Sequence, residues 1–470
     1  MPYEKYPDVP TLLAAAAPAL RLAPTGVEVA DPARLRDRVV DQLAYSAANG
    51  VTPEVRQAAA WLIREAARAL GVLSASIQPL YEARGRGEYE GVTVPAINIR
   101  GMTFDFARAV FRAAERTGAG AFIFELAKSE MGYTAQRPAD FAASVLAAGI
   151  KEGWRGPVFV QGDHFQINAK NYARDPEGEL AGLRALVREA IAAGYLNIDI
   201  DASTIVDLSK PTVREQQREN FERTAELLLL IRELEPAGVT ISVGGEIGEV
   251  GKKNSTEEEL RAYMDGLLEE LARRRPGTKG PSKISVQTGT THGGVVLPDG
   301  RIATVEVDFD TLERLSRVAR EVYGMAGCVQ HGASTLPDEL FHLFPKVGTA
   351  EIHLATGFQN LMFESPAFPA EFRERIYAHL REAFATERAP GETDEQFLYK
   401  NRKRGYGPFK AAFWELPEAV RAEIGRELEA KLVFLFEQLG AAGTRGLVDR
   451  YVTPVPVPAA MPEQLRAAVR

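Results

Sequence analysis

Three of the six histidines, His164, His292 and His331, each stand where a short apolar run ends. His164 closes Gly162-Asp163-His164 after the run Val158–Gln161. His292 lies in Gly289-Thr-Thr-His-Gly-Gly294 after Ile284–Gln287, and His331 opens His331-Gly-Ala-Ser-Thr335 after Cys328–Gln330. The remaining histidines have other settings: His342 and His379 fall in helix-like stretches, and His353 lies inside an apolar run. Three imidazoles brought to one rim leave a fourth coordination position open, which is the pattern of a catalytic zinc site rather than a structural one. Glu246, in Gly244-Gly-Glu-Ile-Gly-Glu249 behind another run, is either a fourth or alternate ligand or a carboxylate that orients a ligand histidine. Cys328 is the sole cysteine, so neither an intrachain disulfide nor a zinc–cysteine cluster can form.

Gly293 and Gly332 sit beside His292 and His331, and glycine permits positive φ and close approach of backbone N–H groups to an anion. Ser334 and Thr335 follow, just before Leu336-Pro337, where a helix start would present free amides to a phosphate. The same serine also reads as an ordinary helix cap. Far downstream, Tyr399-Lys-Asn-Arg-Lys-Arg-Gly-Tyr-Gly-Pro408 is basic. Either Arg402 or Arg404 clamps a distal phosphate there, in its own or a neighbouring subunit, or the stretch is a solvated charged loop.

These groups form one site only if the runs before them share a sheet. Eight apolar runs occur: Ala96–Ile99, Ala121–Glu125, Val158–Gln161, Leu196–Ile200, Val239–Val243, Ile284–Gln287, Cys328–Gln330 and Ile352–Leu354. Amphipathic stretches such as Phe104–Thr117 and Arg214–Leu234 alternate with them, and such alternation implies a parallel sheet. Eight units match a closed (β/α)8 TIM barrel, an α/β fold that places its chemistry at the C-terminal ends of the strands. An open doubly wound sheet is the alternative. The expected organisation is a helical N-terminal extension over 1–94, a catalytic barrel over 95–365 and a helical C-terminal extension over 366–470. Within the first, Thr52 and Pro53 cap and open a helix reaching Leu70, and the charged, glycine-rich Tyr81–Tyr89 reads as a linker. Within the last, Pro417–Leu439 is a long amphipathic helix.

Composition bounds the remaining choices. The chain has 470 residues, 45% hydrophobic and 26% charged, which excludes a disordered or collagen-like protein. A net charge of −8 argues against a general nucleic-acid binder. The most apolar run, Leu227–Ile231, is far short of the ~20 residues that span a bilayer, and no secretory signal is read at the N-terminus. A small-molecule substrate and a reducing, cytoplasmic setting are expected, with neither a nucleic-acid nor a membrane partner.

Gly-Asp-His, Gly-Thr-x-His-Gly and His-Gly-Ala-Ser, in that order and spacing, resemble the class II, zinc-dependent ketose-bisphosphate aldolases. Gln330–Leu340 through Ile352–Thr356 particularly resembles the tagatose-bisphosphate branch, and the likeness covers roughly residues 95–365. The resemblance implies that His164, His292 and His331 hold Zn2+ or another divalent cation. Asp163 would be the acid/base at the C4 hydroxyl. Asn98 would reach the substrate, Asp199 would be a rim carboxylate near the metal, and Thr356 would join Gly332 and Ser334 on a phosphate. It further implies retro-aldol cleavage of a ketose (bis)phosphate, such as fructose- or tagatose-bisphosphate, to triose phosphates, in a homodimer or higher homo-oligomer. No run in the barrel ends in a lysine near the rim, so Schiff-base chemistry is discounted.

Departures from the family pattern matter as much. The family carries an acidic mobile loop after strand five whose carboxylate protonates the enediolate. Here the segment reads Gly248-Glu-Val-Gly-Lys-Lys-Asn-Ser-Thr256, leaving Glu249 or Lys252 to take that part. Strand eight reads Ile352-His-Leu-Ala-Thr356 where fructose-type members have an Asn-Ile-Asp-Thr-Asp-like run. A ketose or ketouronate 4-epimerase accounts for the lost loop acid, since a retained aldehyde recaptures the enediolate and no proton donor is needed. A third reading, a non-catalytic subunit of an aldolase complex, requires loss of metal residues that this chain keeps.

Overall fold

The computed structural model describes residues 3–248, 253–289 and 306–469, with side chains described through 466. Eight parallel strands close on one another: β1 (Val94–Asn98), β2 (Ile123–Ala127), β3 (Gly156–Gln166), β4 (Asn197–Asp201), β5 (Ser242–Glu246), β6 (Lys283–Val286), β7 (Cys328–Gln330) and β8 (Glu351–Leu354). Closure is made by β8 on β1, with Glu351 opposite Val94 and Leu354 opposite Ile97. The strands carry buried apolar residues such as Ile123, Ile198, Ile284 and Ile352, which is why short apolar runs mark them, and these alternate with buried polar ones such as Glu125, Asn197, Lys283 and Glu351. The expected TIM barrel with helical extensions is the fold.

A ninth strand, Val72–Ala75, enters at the base of the barrel. It pairs with the first half of β3, Val72 opposite Gly156, whereas β4 pairs with the second half, Gln161 opposite Asn197. Asn197 seals this fork. Its amide nitrogen donates to the carbonyls of Ala75 and Val160, both at 3.1 Å, and its oxygen accepts from the Ile77 N–H at 2.9 Å.

The N-terminal region is not purely helical. Besides that strand it holds an antiparallel hairpin of Leu20–Ala23 and Gly26–Val29. Helix α1 (Pro53–Leu70) starts as its sequence predicts, the Thr52 hydroxyl accepting from the Val55 N–H at 3.2 Å. Tyr81–Tyr89 corrects the linker reading: residues Gln78–Gly85 form helix α2, with Leu80 and Tyr81 fully buried. Glycine and arginine made the stretch look solvated, but the glycine serves a close approach. A Cβ on Gly85 would run into the Gly324 carbonyl. Arg84 is buried as a donor to the carbonyls of Val92 and Thr349.

Helix α3 (Thr103–Thr117) lies on the barrel wall and carries α4 (Glu418–Gln438) along its outer side. Arg112 of α3 pairs with Glu429 of α4 at 2.7 Å, and the rings of Phe122 and Phe436 sit 5.5 Å apart in the layer beneath. Pro417 precedes α4, as expected of a proline that starts a helix but cannot continue one. Among the described residues, no helix is long and apolar enough to cross a membrane.

Candidate active site

Strand β3 places the first two groups. Its pairing with β4 shifts register between Gly162 and Phe165, and His164 takes φ +40°. A bulge at a barrel rim re-aims side chains, and a non-glycine residue in the left-handed region is strain that the surrounding structure must hold. Phe165 supplies part of that hold, since its ring fills the space where a Cβ on Gly162 would stand. As a result Asp163 and His164 both face the barrel mouth. His331, just past β7, meets them: the two imidazole centroids are 4.2 Å apart, and the Asp163 Oδ1 lies 3.6 Å from His331 Nε2 and 3.8 Å from His164 Nε2.

Supporting groups fix the ring orientations. His164 Nδ1 lies 3.0 Å from Asp201 Oδ2, the carboxylate–imidazole arrangement that orients metal-binding histidines. His331 Nδ1 lies 2.7 Å from the Ser285 hydroxyl and 3.7 Å from Glu246 Oε2. Burial, together with the charges of His164 and His353, holds the His331 imidazole well below its ordinary pKa, so it is neutral, the form that ligates a cation. Burial works against charge on His164, but Asp163 and Asp201 hold its pKa well above the ordinary value. Burial and the like charge of Asp201 push the Glu246 carboxyl up to about 8. Asp163 is opposed by burial yet held well below the usual carboxylate range by His164 and His353.

Among the described residues four overlapping groups could hold a metal ion, each with ligand atoms within 4.8 Å of one another: Asp163, His164 and His331, and His164, Asp201 and Glu246, at the rim; and Glu125, Asp163 and His353, and Asp199, Glu351 and His353, around the His353 ring. Imidazole and carboxylate donors without thiolate suit zinc and other divalent first-row ions, so the donor set fits the expected cofactor class. His292, Gly293 and Glu249 lie outside the described residues.

Other expected residues fall in three places. Asn98, from β1, donates to Asp163 Oδ2 at 3.0 Å and to Glu130 Oε2 at 2.9 Å. Asp199 sits lower in the barrel, its carboxylate 3.0 Å from Lys283 Nζ, and burial pushes it up to about 6 against the pull of that lysine. Gly332, at φ +68°, Ser334 and Thr356 line the same cavity as Asp163, His164 and His331. The helix start expected at Leu336 is only a short turn, Asp338–Leu340. The helix that starts beside Ser334 is instead α5 (Thr356–Glu364), whose Gly357 N–H donates to the Ser334 hydroxyl at 3.1 Å.

Arg404 turns to Glu387, at 2.8 Å, and lies over the Phe384 ring, while its neighbour Lys403 lines the cavity. That cavity is about 1240 Å³. Its cations are differently engaged. Arg100 pairs with Glu130 at 2.7 Å and reaches Thr356 and Gln359; Lys128 pairs with Glu179; Lys400 pairs with Glu392; Lys403 lies over the Tyr133 ring.

Arg100, Glu130, Asp201 and His353 were not singled out from the sequence. Asp201 carried a signal: two residues beyond Asp199 in one strand, it must face the same side. Arg100 and Glu130 carried none, because their meeting joins the loop after β1 to the short helix Lys128–Tyr133 after β2.

The class-II fructose-bisphosphate aldolase family model matches residues 82–402, so the chain belongs to that family. No curated protein matches at significance. Among solved structures, a glycerol-complexed fructuronate-tagaturonate epimerase, UxaE from Cohnella laeviribosi, is 13% identical over 90% of this chain and 93% of that one, with a TM-score of 0.54. The YdjI aldolase from Escherichia coli K12 is 15% identical over 79% of this chain and 100% of that one, at 0.49. Fructose-bisphosphate aldolase from Campylobacter jejuni is 16% identical over 79% and 97%, at 0.47.

Proposed function

We propose that this protein is a zinc-dependent aldolase that breaks and re-forms the C3–C4 bond of a ketose (bis)phosphate. The observation that carries this reading is the meeting of Asp163 with His164 and His331 at the mouth of a cavity that Arg100, Lys128, Lys400 and Lys403 also line, within a chain of the aldolase family. His164 and His331, with His292 as the resemblance assigns it, would hold the cation, and Glu246, which lies against their Nδ1 atoms, would orient the two rings. When bound, it supplies Lewis-acid stabilisation of the oxyanion charge that develops as the bond breaks, worth several kcal/mol.

The chain's own residues account for the rest. Asp163 takes the C4 hydroxyl proton, the C4 oxygen closes to a carbonyl, and the C3–C4 bonding pair passes to the ketose fragment. Asn98 holds the carboxylate that does this. Gly332, Ser334 and the α5 N-terminus suit one phosphate, and Lys403 suits an anionic group at the far end of the substrate. A soluble homo-oligomer acting on sugar phosphates is the corresponding expectation for the whole protein.

A second reading, a ketose or ketouronate 4-epimerase, is favoured by one feature: the segment Gly248–Thr256 lacks the acidic pair that would protonate the cleaved fragment. The likeness in fold to a fructuronate-tagaturonate epimerase over 90% of the chain agrees with it. Product analysis with zinc-loaded protein tests both. Free triose phosphate from a ketose bisphosphate supports the lyase. Interconversion of C4-epimeric ketoses or ketouronates without triose release supports the epimerase. Stoichiometric zinc with neither product would sink both.

A further inference from the structure

Beneath the rim the barrel interior is ionic rather than apolar. Glu125, Gln161, Lys283 and Glu351 are all fully buried there. Lys283 Nζ bonds to Gln161 Oε1 at 2.7 Å and to Glu351, Gln161 donates to Glu351 at 2.9 Å, and the Tyr81 hydroxyl from α2 reaches Glu351 from below. Burying such groups costs several kcal/mol per ion, and well-packed apolar side chains of similar volume would often be no less stable. The tier therefore calls for a reason beyond packing.

His353 joins this tier to the rim. It lies two residues beyond Glu351 in β8, so both side chains face inward. The residue is 4% exposed. Its Nε2 lies 2.6 Å from Glu351 Oε1 and its Nδ1 lies 3.1 Å from Asp163 Oδ1, with Glu125 Oε1 at 3.3 Å. The other Asp163 oxygen accepts from Asn98 at 3.0 Å. Asp163 is thus held on one oxygen from β8 and on the other from β1. Its carboxylate cannot rotate about its own axis without breaking both bonds. An edge-on contact with His331, 4.2 Å between centroids, locks the His353 ring in turn.

We propose that His353 is a positioning residue for Asp163, transmitting the rigidity of the Lys283–Glu351 tier to the carboxylate that removes the substrate proton. The inference rests on the reading of Asp163 as that base. A base works only when its oxygen stands at hydrogen-bond distance from the proton it takes, and a displacement of about 1 Å costs roughly a hundredfold in rate. His353 sets that distance and leaves substrate affinity to the cationic side of the cavity.

The test uses the full-length protein, loaded with zinc, and three variants: His353→Asn, whose amide can donate from the Nδ1 position; His353→Gln, whose amide reaches the Nε2 position; and His353→Leu. Metal content, kcat and KM are measured on the substrate that wild-type protein turns over. Wild-type zinc stoichiometry in all three is expected. His353→Leu and His353→Gln should lose about tenfold to a hundredfold in kcat with KM within about twofold, and His353→Asn should recover most of the loss. Should His353→Leu fail to fold, the Asn and Gln pair still decides. Equal kcat in all variants, an effect confined to KM, or loss of zinc on substitution would each overturn the proposal. Failure of the wild type to cleave or epimerise any ketose would instead remove Asp163 as the base, and the role of His353 with it.

Discussion

His164 and His331 need their partners as much as their own rings. Asp201 and Ser285 fix the two imidazoles from below, so each presents its Nε2 toward Asp163. His331→Ala should lose zinc and activity together, read by metal analysis beside an activity assay, and chelation of the wild type should do the same reversibly. Asp163→Asn should keep its zinc and lose about 10²–10⁴ in turnover, the range for a positioned acid/base. Near-normal turnover in that variant would remove the assignment. At the far end of the cavity, Lys403→Ala should raise KM for a phosphorylated substrate by about tenfold, as loss of a hydrogen bond to a charged group does. Arg404→Ala, already engaged with Glu387, should leave KM unchanged. A reversed result would put the clamp back on Arg404. The basic loop was visible in the sequence, but which of its cations turns inward was not. That depends on the path of the short turn Arg402–Gly405, and on the carboxylate that Glu387 offers from another element.

Elements position these residues through close approaches that only some side chains permit. The N-terminus of α5 reaches Ser334 because Gly357 has no Cβ; one there would run into the Ser334 carbonyl. Gly357→Ala should therefore fold, with a melting temperature lowered by a few degrees, but bind phosphorylated substrate several-fold more weakly, as overpacking by one methyl shifts backbone at a cost of about 1–3 kcal/mol. Unchanged binding in that variant would mean the α5 amides take no part. Strand and helix types were largely legible from runs and caps. Thr52, Pro53 and Pro417 begin helices where their chemistry says they should. The miss at α2 has a plain cause: a short helix with arginine and two nearby glycines has a weak local signal, and burial under the barrel overrode it.

The terminal regions are part of the whole molecule's architecture rather than ornaments on it. The strand Val72–Ala75 completes one edge of β3, α2 closes the barrel base through Tyr81, and α4 covers the outer side of α3. A chain beginning at residue 95 would lose the first two and expose the buried tier to water. It should aggregate or melt without cooperativity, as circular dichroism on heating would report. A cooperative transition matching that of the full chain would show that the base needs no such cover.

From the sequence by itself came the closed barrel, the family, and the placing of His164 and His331 with Asp163 at the rim, because strand periodicity and glycine-flanked motifs are local and their order along the chain implies their place on the rim. Only the tertiary structure decided which oxygen meets which nitrogen. Asn98, His353, Asp201, Arg100 and Lys403 converge from strands and loops far apart in the chain, and no local pattern records a contact whose energy exists only after closure.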